Sequence, residues 1–120
     1  MTFKEFEANL KEKMVLRKVM NNPGGGTSII IAHTCEGNIC YKRKESCISI
    51  PITEIYNAYN KYKGGKCTSG NLKTDNPEVF SFKAHVCNCT FLFMVLHEMK
   101  LCSEPKREGK GNSQFYVEMF

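Results

Sequence analysis

The sequence has no long hydrophobic run. Its longest uninterrupted apolar stretch, residues 91 to 96, has six residues and is too short to span a bilayer. The first seven residues mix acids and bases and contain no apolar segment of the kind found in signal peptides. Because neither an export signal nor a membrane span is visible, we expect a cytoplasmic, intracellular protein with no membrane partner.

The sequence also lacks the C-x-x-C cysteine pairs that are typical of zinc sites. The chain has seven cysteines, an odd number, and without export we expect them to stay mostly reduced. No two of them have the spacing C-x-x-C, and on a helix Cys87 and Cys89 would point about 200° apart. A zinc site with His85 beside these two thiols is the alternative. We expect the cysteines to fill the core, and we expect no metal and no other cofactor.

Catalytic arrangements are not apparent either. The twelve acidic residues are scattered, and no acidic cluster beside a lysine marks a nuclease site. Pairs such as Cys40 with His33, or Cys87 with His85, are neighbours in sequence only, which does not establish a nucleophile beside its base. The glycine-rich residues 23 to 26 lack the ending of a phosphate-binding loop, so we expect a flexible connector. The sequence therefore favours a protein that is not an enzyme.

Composition indicates a packed fold. With 42% apolar and 24% charged residues, the 120-residue chain suits one domain that spans residues 1 to 120 and buries a core. The formal net charge is +5 and the sequence pI is about 8.8. A positive balance of this size favours anionic partners, among them nucleic acid.

The first part of that domain, residues 1 to 45, predicts a helix and a β-hairpin. Residues 2 to 20 have apolar side chains at helical spacing, and Thr2 with Glu5 fits a capping box. Residues 27 to 32 and 39 to 42 are predicted strands around a turn. A basic run follows the hairpin, and we interpret it either as a solvated turn or as an additional phosphate contact. This run consists of Lys42, Arg43 and Lys44.

The second part begins with a predicted strand at residues 46 to 52. At Ile52 the apolar period changes from two to three and four, which predicts a helix that stops at the glycine pair 64 to 65. Thr68 or Ser69 then caps a short second helix, which ends near Asn76 because Pro77 follows.

A third helix and a hairpin complete the predicted order. The helix covers about residues 85 to 100 and is apolar nearly all round, as in buried helices. Two short apolar runs then flank the basic, glycine-containing loop 105 to 112, which predicts a C-terminal β-hairpin.

Residues 46 to 120 resemble a winged helix-turn-helix in the order of these elements, at the level of the fold and without a particular family motif. The resemblance implies an α+β fold, in which an N-terminal helix and β-hairpin precede a winged helix-turn-helix-like three-helix unit with a C-terminal β-hairpin. It also implies binding to double-stranded DNA. The start of the third helix would read base edges through His85, Asn88 and Thr90. The phosphate contacts would come from Lys83, Lys106, Arg107 and Lys110, with Lys73 supporting the same face.

Two other interpretations remain open. Winged-helix domains also bind proteins, so the chain can be a small protein-interaction module or an inhibitor of a nucleic-acid-processing partner. The N-terminal helix and hairpin would then form the partner surface or a homodimer interface. In the second interpretation, tyrosines beside lysines stack the bases of a single strand. These tyrosines are Tyr41, Tyr56, Tyr59 and Tyr62.

Overall fold

The computed structural model describes residues 1–81, 86–111 and 113–120, and within them the chain forms an α+β domain with two antiparallel sheets. The helices are α1 (Phe3–Lys13), α2 (Ile52–Tyr62), α3 (Ser69–Asp75), α4 (Pro77–Phe80) and α5 (Cys87–Glu98). The strands are β1 (Val19–Asn21), β2 (Thr27–His33), β3 (Asn38–Arg43), β4 (Ser46–Pro51), β5 (Lys66–Thr68), β6 (Lys106–Arg107) and β7 (Phe115–Glu118).

Helix α1 begins as predicted but ends earlier. The Thr2 hydroxyl accepts from the Glu5 amide at 3.2 Å, and the Glu5 carboxylate accepts from the Thr2 amide at 3.0 Å. The expected helix over residues 2 to 20 is wrong beyond Lys13, because residues 19 to 21 pair with β2 as strand β1. A β-branched residue followed by a proline-glycine turn favours this hairpin over a longer helix.

The predicted β-hairpin is the centre of a larger sheet, with strand order β1-β2-β3-β4. Strand β4 pairs with β3 without interruption, from Asn38 opposite Pro51 to Arg43 opposite Ser46. The strand that we assigned to the second part of the domain therefore belongs to the N-terminal sheet. A boundary between residues 45 and 46 would fall inside the turn that joins two paired strands.

Local sequence explains the helices that follow. Thr68 caps α3 through a reciprocal pair of hydrogen bonds with Asn71, at 3.1 and 2.9 Å, and Pro77 begins the separate short helix α4. Neither α4 nor strand β5 was predicted. Strand β5 forms because residues 66 to 68 pair with β7, which also pairs with β6 in a three-stranded sheet of order β5-β7-β6.

Helix α5 lies at the centre of the core. Residues 91 to 96 are all buried, as expected for a helix that is apolar nearly all round. One continuous cluster of buried side chains joins α1, the four-stranded sheet, α2, α5 and β7. No helix in the described part of the chain is both long and apolar enough to cross a membrane.

Candidate nucleic-acid interface

The four-stranded sheet covers the helix that was expected to read bases. Tyr41 of β3 stacks on Phe91 of α5, with ring centroids 3.7 Å apart and an interplanar angle of 6°. The Tyr41 hydroxyl also donates to the Asn88 side-chain oxygen at 2.9 Å. Burial raises the pKa of this hydroxyl far above its usual value, so it remains a donor at neutral pH.

Asn88 is therefore a core residue. Its side chain is 1% exposed, and its amide nitrogen donates to the carbonyl oxygens of Val79 at 2.9 Å and Ser49 at 3.3 Å. With these bonds and the one from Tyr41, the carboxamide is occupied from three directions. Its burial corrects the predicted role, because a side chain held in this way cannot reach a base edge.

The other predicted contacts of this region have different outcomes. Thr90 is half-buried, and its hydroxyl donates to the Cys87 carbonyl at 3.3 Å within the same helix. Lys73 is half-buried on α3. Burial raises the pKa of the nearby Cys89 thiol, and the charge of Lys73 opposes that rise. Lys83 and His85 lie outside the described residues.

The C-terminal hairpin of β6 and β7, which we call the wing, carries exposed cations. Lys106, Arg107 and Lys110 are all exposed, and none of them has a carboxylate partner in the described part of the chain. The wing contains two acids, Glu108 and Glu118, and Glu108 pairs with Lys66 of β5 at 2.6 Å. That hydrogen bond, with a second from Gln114, lowers the pKa of Glu108. The wing therefore presents three exposed cations that form no ion pair with a described carboxylate.

Arg107 is held in place by the wing itself. Its guanidinium carbon lies 4.2 Å from the centroid of the Phe115 ring, and Nη1 donates to the Ser113 carbonyl at 2.6 Å. The other terminal nitrogen of this guanidinium, Nη2, lies next to the turn between β1 and β2. A side-chain carbon at Gly24 of that turn would lie 3.8 Å from Nη2.

The basic run of residues 42 to 44 is at the same end of the molecule as this contact. In the antiparallel sheet the β1–β2 and β3–β4 turns share one end, and the β2–β3 turn is at the other. Two strand spacings amount to about 10 Å. The glycine turn touches the wing at Arg107 and Phe115, and the basic run lies at the same end of the four-stranded sheet as that turn. We call the wing and the basic run together the basic end. Its six cations are Lys42, Arg43, Lys44, Lys106, Arg107 and Lys110.

The predicted tyrosine track does not form an open stacking surface. Tyr41 and Tyr59 are buried, and Tyr56 packs on Phe3 and Phe6 with centroid distances of 5.4 and 5.2 Å. The Tyr62 hydroxyl donates to Asp75 at 2.5 Å, which leaves its ring against the α2–α3 side of the protein. The geometry thus gives little support to base stacking at these positions.

The cysteines are all free thiols, and three of them are buried. Burial raises the pKa of Cys67 and Cys102 to about 12 and that of Cys89 to about 11, so these thiols are poor nucleophiles at neutral pH. Among the residues that the structure describes, no group of three or more histidine, cysteine or acidic side chains is arranged to hold a metal ion.

The chain matches no protein-family model, no curated protein and no solved structure.

Proposed function

We propose that the protein binds double-stranded DNA through the phosphate backbone, with the basic end as the contact surface. The observation that supports the proposal is the contact of the wing with the glycine turn, which lies at the same end of the four-stranded sheet as the basic run. Backbone contacts from lysine and arginine supply most of the affinity in binding that does not depend on sequence. The burial of Asn88 favours this form of binding over base reading by α5.

The order of elements supports a winged helix-turn-helix arrangement as part of this proposal. Helix α2, strand β5, helices α3 and α5, and the hairpin of β6 and β7 follow in the sequence expected of that class. The last strand, β7, lies between β5 and β6, so the hairpin projects from a three-stranded sheet as a wing does. The protein differs from a winged helix-turn-helix in one respect: it has the additional sheet β1-β2-β3-β4, which packs on α5.

The direct test removes the charge of the wing. Lys106→Ala, Arg107→Ala and Lys110→Ala, combined in one chain, should weaken binding to a labelled duplex and reduce the slope of log affinity against log salt by about three. The matched control is Lys4→Ala, Lys11→Ala and Lys13→Ala, which removes the same charge from exposed positions on α1. Equal effects of the two variants would show that net charge, not the wing, governs binding.

A protein partner is the second candidate, favoured by exposed apolar side chains around β1. Val15, Leu16 and Val19 are 54%, 58% and 57% exposed, and β1 is an edge strand of its sheet. Apolar side chains along an open edge are typical of surfaces that bind another chain. Leu16→Asp should abolish self-association or partner binding while DNA affinity stays unchanged; sedimentation velocity and duplex titration measure the two effects separately.

A further inference from the structure

Strand β1 is an open edge of the four-stranded sheet, because it is the first strand in the order β1-β2-β3-β4. Just before it, the Ile30 amide donates to the Lys18 carbonyl at 3.0 Å, and in an antiparallel pair every second residue bonds to the neighbouring strand. Val19 and Asn21 are the intervening residues, so their backbone N–H and C=O groups are directed away from β2. The described part of the chain offers these groups no other hydrogen-bond partner.

A groove of about 380 Å³ lies beside this edge. Its lining comes from β1, from the last turns of α5, and from residues 104 and 105, which lead into β6 at the edge of the other sheet. Four of the lining residues are apolar: Met20, Pro23, Met94 and Pro105. An unpaired strand edge beside a groove suits an extended peptide, which adds a strand through its backbone and places alternate side chains in pockets.

The glycine turn between β1 and β2 borders the groove through Pro23. Hydrogen bonds hold this turn, whereas its composition predicts a flexible connector. The Asn22 amide donates to the Gly26 carbonyl at 2.9 Å, and the Gly25 amide donates to the Asn22 carbonyl at 3.0 Å. Because this border of the groove is already formed, a ligand does not have to order it, which lowers the entropic cost of binding.

The polar lining of the groove is acidic. Glu98 pairs with Lys18 at 3.5 Å, whereas Glu104 has no cationic partner among the residues that the structure describes. Nδ1 of His97 lies 3.1 Å from the Cys102 carbonyl, which can only accept, so Nδ1 carries a proton and Nε2 of the neutral ring is an acceptor. Apolar walls beside a carboxylate complement the methylene stem and charged head of lysine or arginine.

We propose that β1 binds an extended segment of a partner protein as an additional antiparallel strand, with a lysine or arginine side chain of that segment in the groove. The inference goes beyond DNA binding and gives the protein partner of the second candidate function a chemistry. The cationic residue lies opposite Met20, in a non-hydrogen-bonded pair, where facing side chains approach most closely.

The residues on either side of that cation lie opposite Val19 and Asn21, on the other face of the sheet. Val19 is 57% exposed there, and a β-branched side chain on the partner strand would cover it. The preferred segment therefore has a basic residue between two apolar, β-branched residues.

The test titrates the full ¹⁵N-labelled chain, without nucleic acid, with a short peptide whose central lysine is flanked on each side by a valine and then by threonines. We expect saturable shifts of the Val19 and Asn21 amides. The same peptide with glutamate in place of lysine should bind about tenfold more weakly, because it puts a like charge beside Glu104. Glu104→Gln should weaken binding of the lysine peptide about threefold, the effect of an exposed ion pair. Glu12→Gln, an equal change on α1 outside the groove, is the matched control and should have no effect.

A pair of variants at Asn21 tests strand addition. Asn21→Pro removes the N–H that is directed away from β2, and proline is accepted at such positions of edge strands. Asn21→Ala removes the same side chain and keeps the N–H. We expect Asn21→Pro to bind the lysine peptide about tenfold more weakly than Asn21→Ala, the effect of losing one hydrogen bond, while both variants stay folded by circular dichroism.

Absence of saturable shifts at β1, or equal affinity for the lysine and glutamate peptides, would overturn the inference. Equal binding by Asn21→Pro and Asn21→Ala would overturn strand addition; if Asn21→Pro fails to fold, Glu104→Gln against Glu12→Gln decides whether the groove selects a cation. Shifts of the β1 amides that depend on protein concentration without peptide would assign the edge to a second copy of the chain and overturn the proposed partner. None of these titrations contains duplex, so their failure leaves DNA binding to its own test.

Discussion

Tyr41 and Phe91 stack in parallel, 3.7 Å between ring centroids, and thereby join the N-terminal sheet to α5. The same tyrosine donates to Asn88, one turn earlier on that helix. The contact makes the sheet and the three-helix unit parts of one core. It also means that the sheet occupies the side of α5 on which the sequence predicted a DNA-reading residue.

Asn88→Ala should destabilise the protein without altering any sequence preference in DNA binding. The substitution leaves the Tyr41 hydroxyl, which is 0% exposed, without its acceptor and should cost about 1–3 kcal/mol of unfolding free energy. Chemical denaturation of Asn88→Ala, Tyr41→Phe and the double variant gives the coupling between the two side chains. If Asn88→Ala keeps full stability and changes the selected sequences, the helix does read bases.

Glu108→Gln should strengthen duplex binding by a few-fold, because it removes the acid beside the wing cations Arg107 and Lys110 and releases Lys66 from its ion pair. Hydrogen bonds from Lys66 and Gln114 hold the pKa of Glu108 below its usual value. Glu108 therefore keeps its charge as the pH falls through the normal carboxyl range, and wild-type affinity should gain from its protonation only below that range. Glu7→Gln on α1 removes an equal charge and is the control. A gain of the same size in Glu7→Gln would contradict the local effect.

Charge removal at the basic run tests whether the β3–β4 turn belongs to the interface. Lys44 has a φ angle of 53°, which asparagine tolerates better than most residues, so Lys44→Asn with Lys42→Gln should preserve the turn. The slope of log affinity against log salt should fall by about two. Lys4→Gln with Lys13→Gln is the control on α1. An unchanged slope would make residues 42 to 44 a solvated turn.

Thiol labelling separates the buried from the exposed cysteines. Cys35 and Cys47 are exposed and should react quickly with a thiol reagent at pH 8. Cys67, Cys89 and Cys102 should be protected until the protein unfolds, because burial both raises their pKa values and blocks access. Mass spectrometry of a labelling time course measures each site. Labelling of Cys67 or Cys102 as fast as Cys35 would contradict the packing described for the core.

Local chemistry made part of the fold predictable. The caps at Thr2 and Thr68 and the helix that begins at Ile52 follow from residues a few positions apart, and the structure confirms them. Strand β5 could not be predicted in this way, because its three residues form a strand only through pairing with β7, about fifty positions later. Strand β1 was missed because residues 14 to 19 continue an apolar spacing that also fits a helix.

The candidate site also has features that local sequence predicts and features that depend on contacts between distant residues. The charges of the wing and of the basic run are visible in the sequence, but the sequence placed the basic run in a loop, whereas Lys42 and Arg43 end strand β3 and Arg43 is half-buried. The role of Asn88 depends on Tyr41, forty-seven positions away, and no local pattern signals that hydrogen bond. The contact of Gly24 with Arg107 likewise joins two turns that are distant in sequence.

The most direct test of the account is a salt titration of the wild-type protein against a pool of random duplexes, with sequencing of the retained fraction. Six backbone contacts predict a slope of log affinity against log salt near −5. No sequence should be enriched in the retained fraction, because the described start of α5 is covered by the sheet. A flat salt dependence, or no binding near physiological salt, would contradict DNA binding by the basic end.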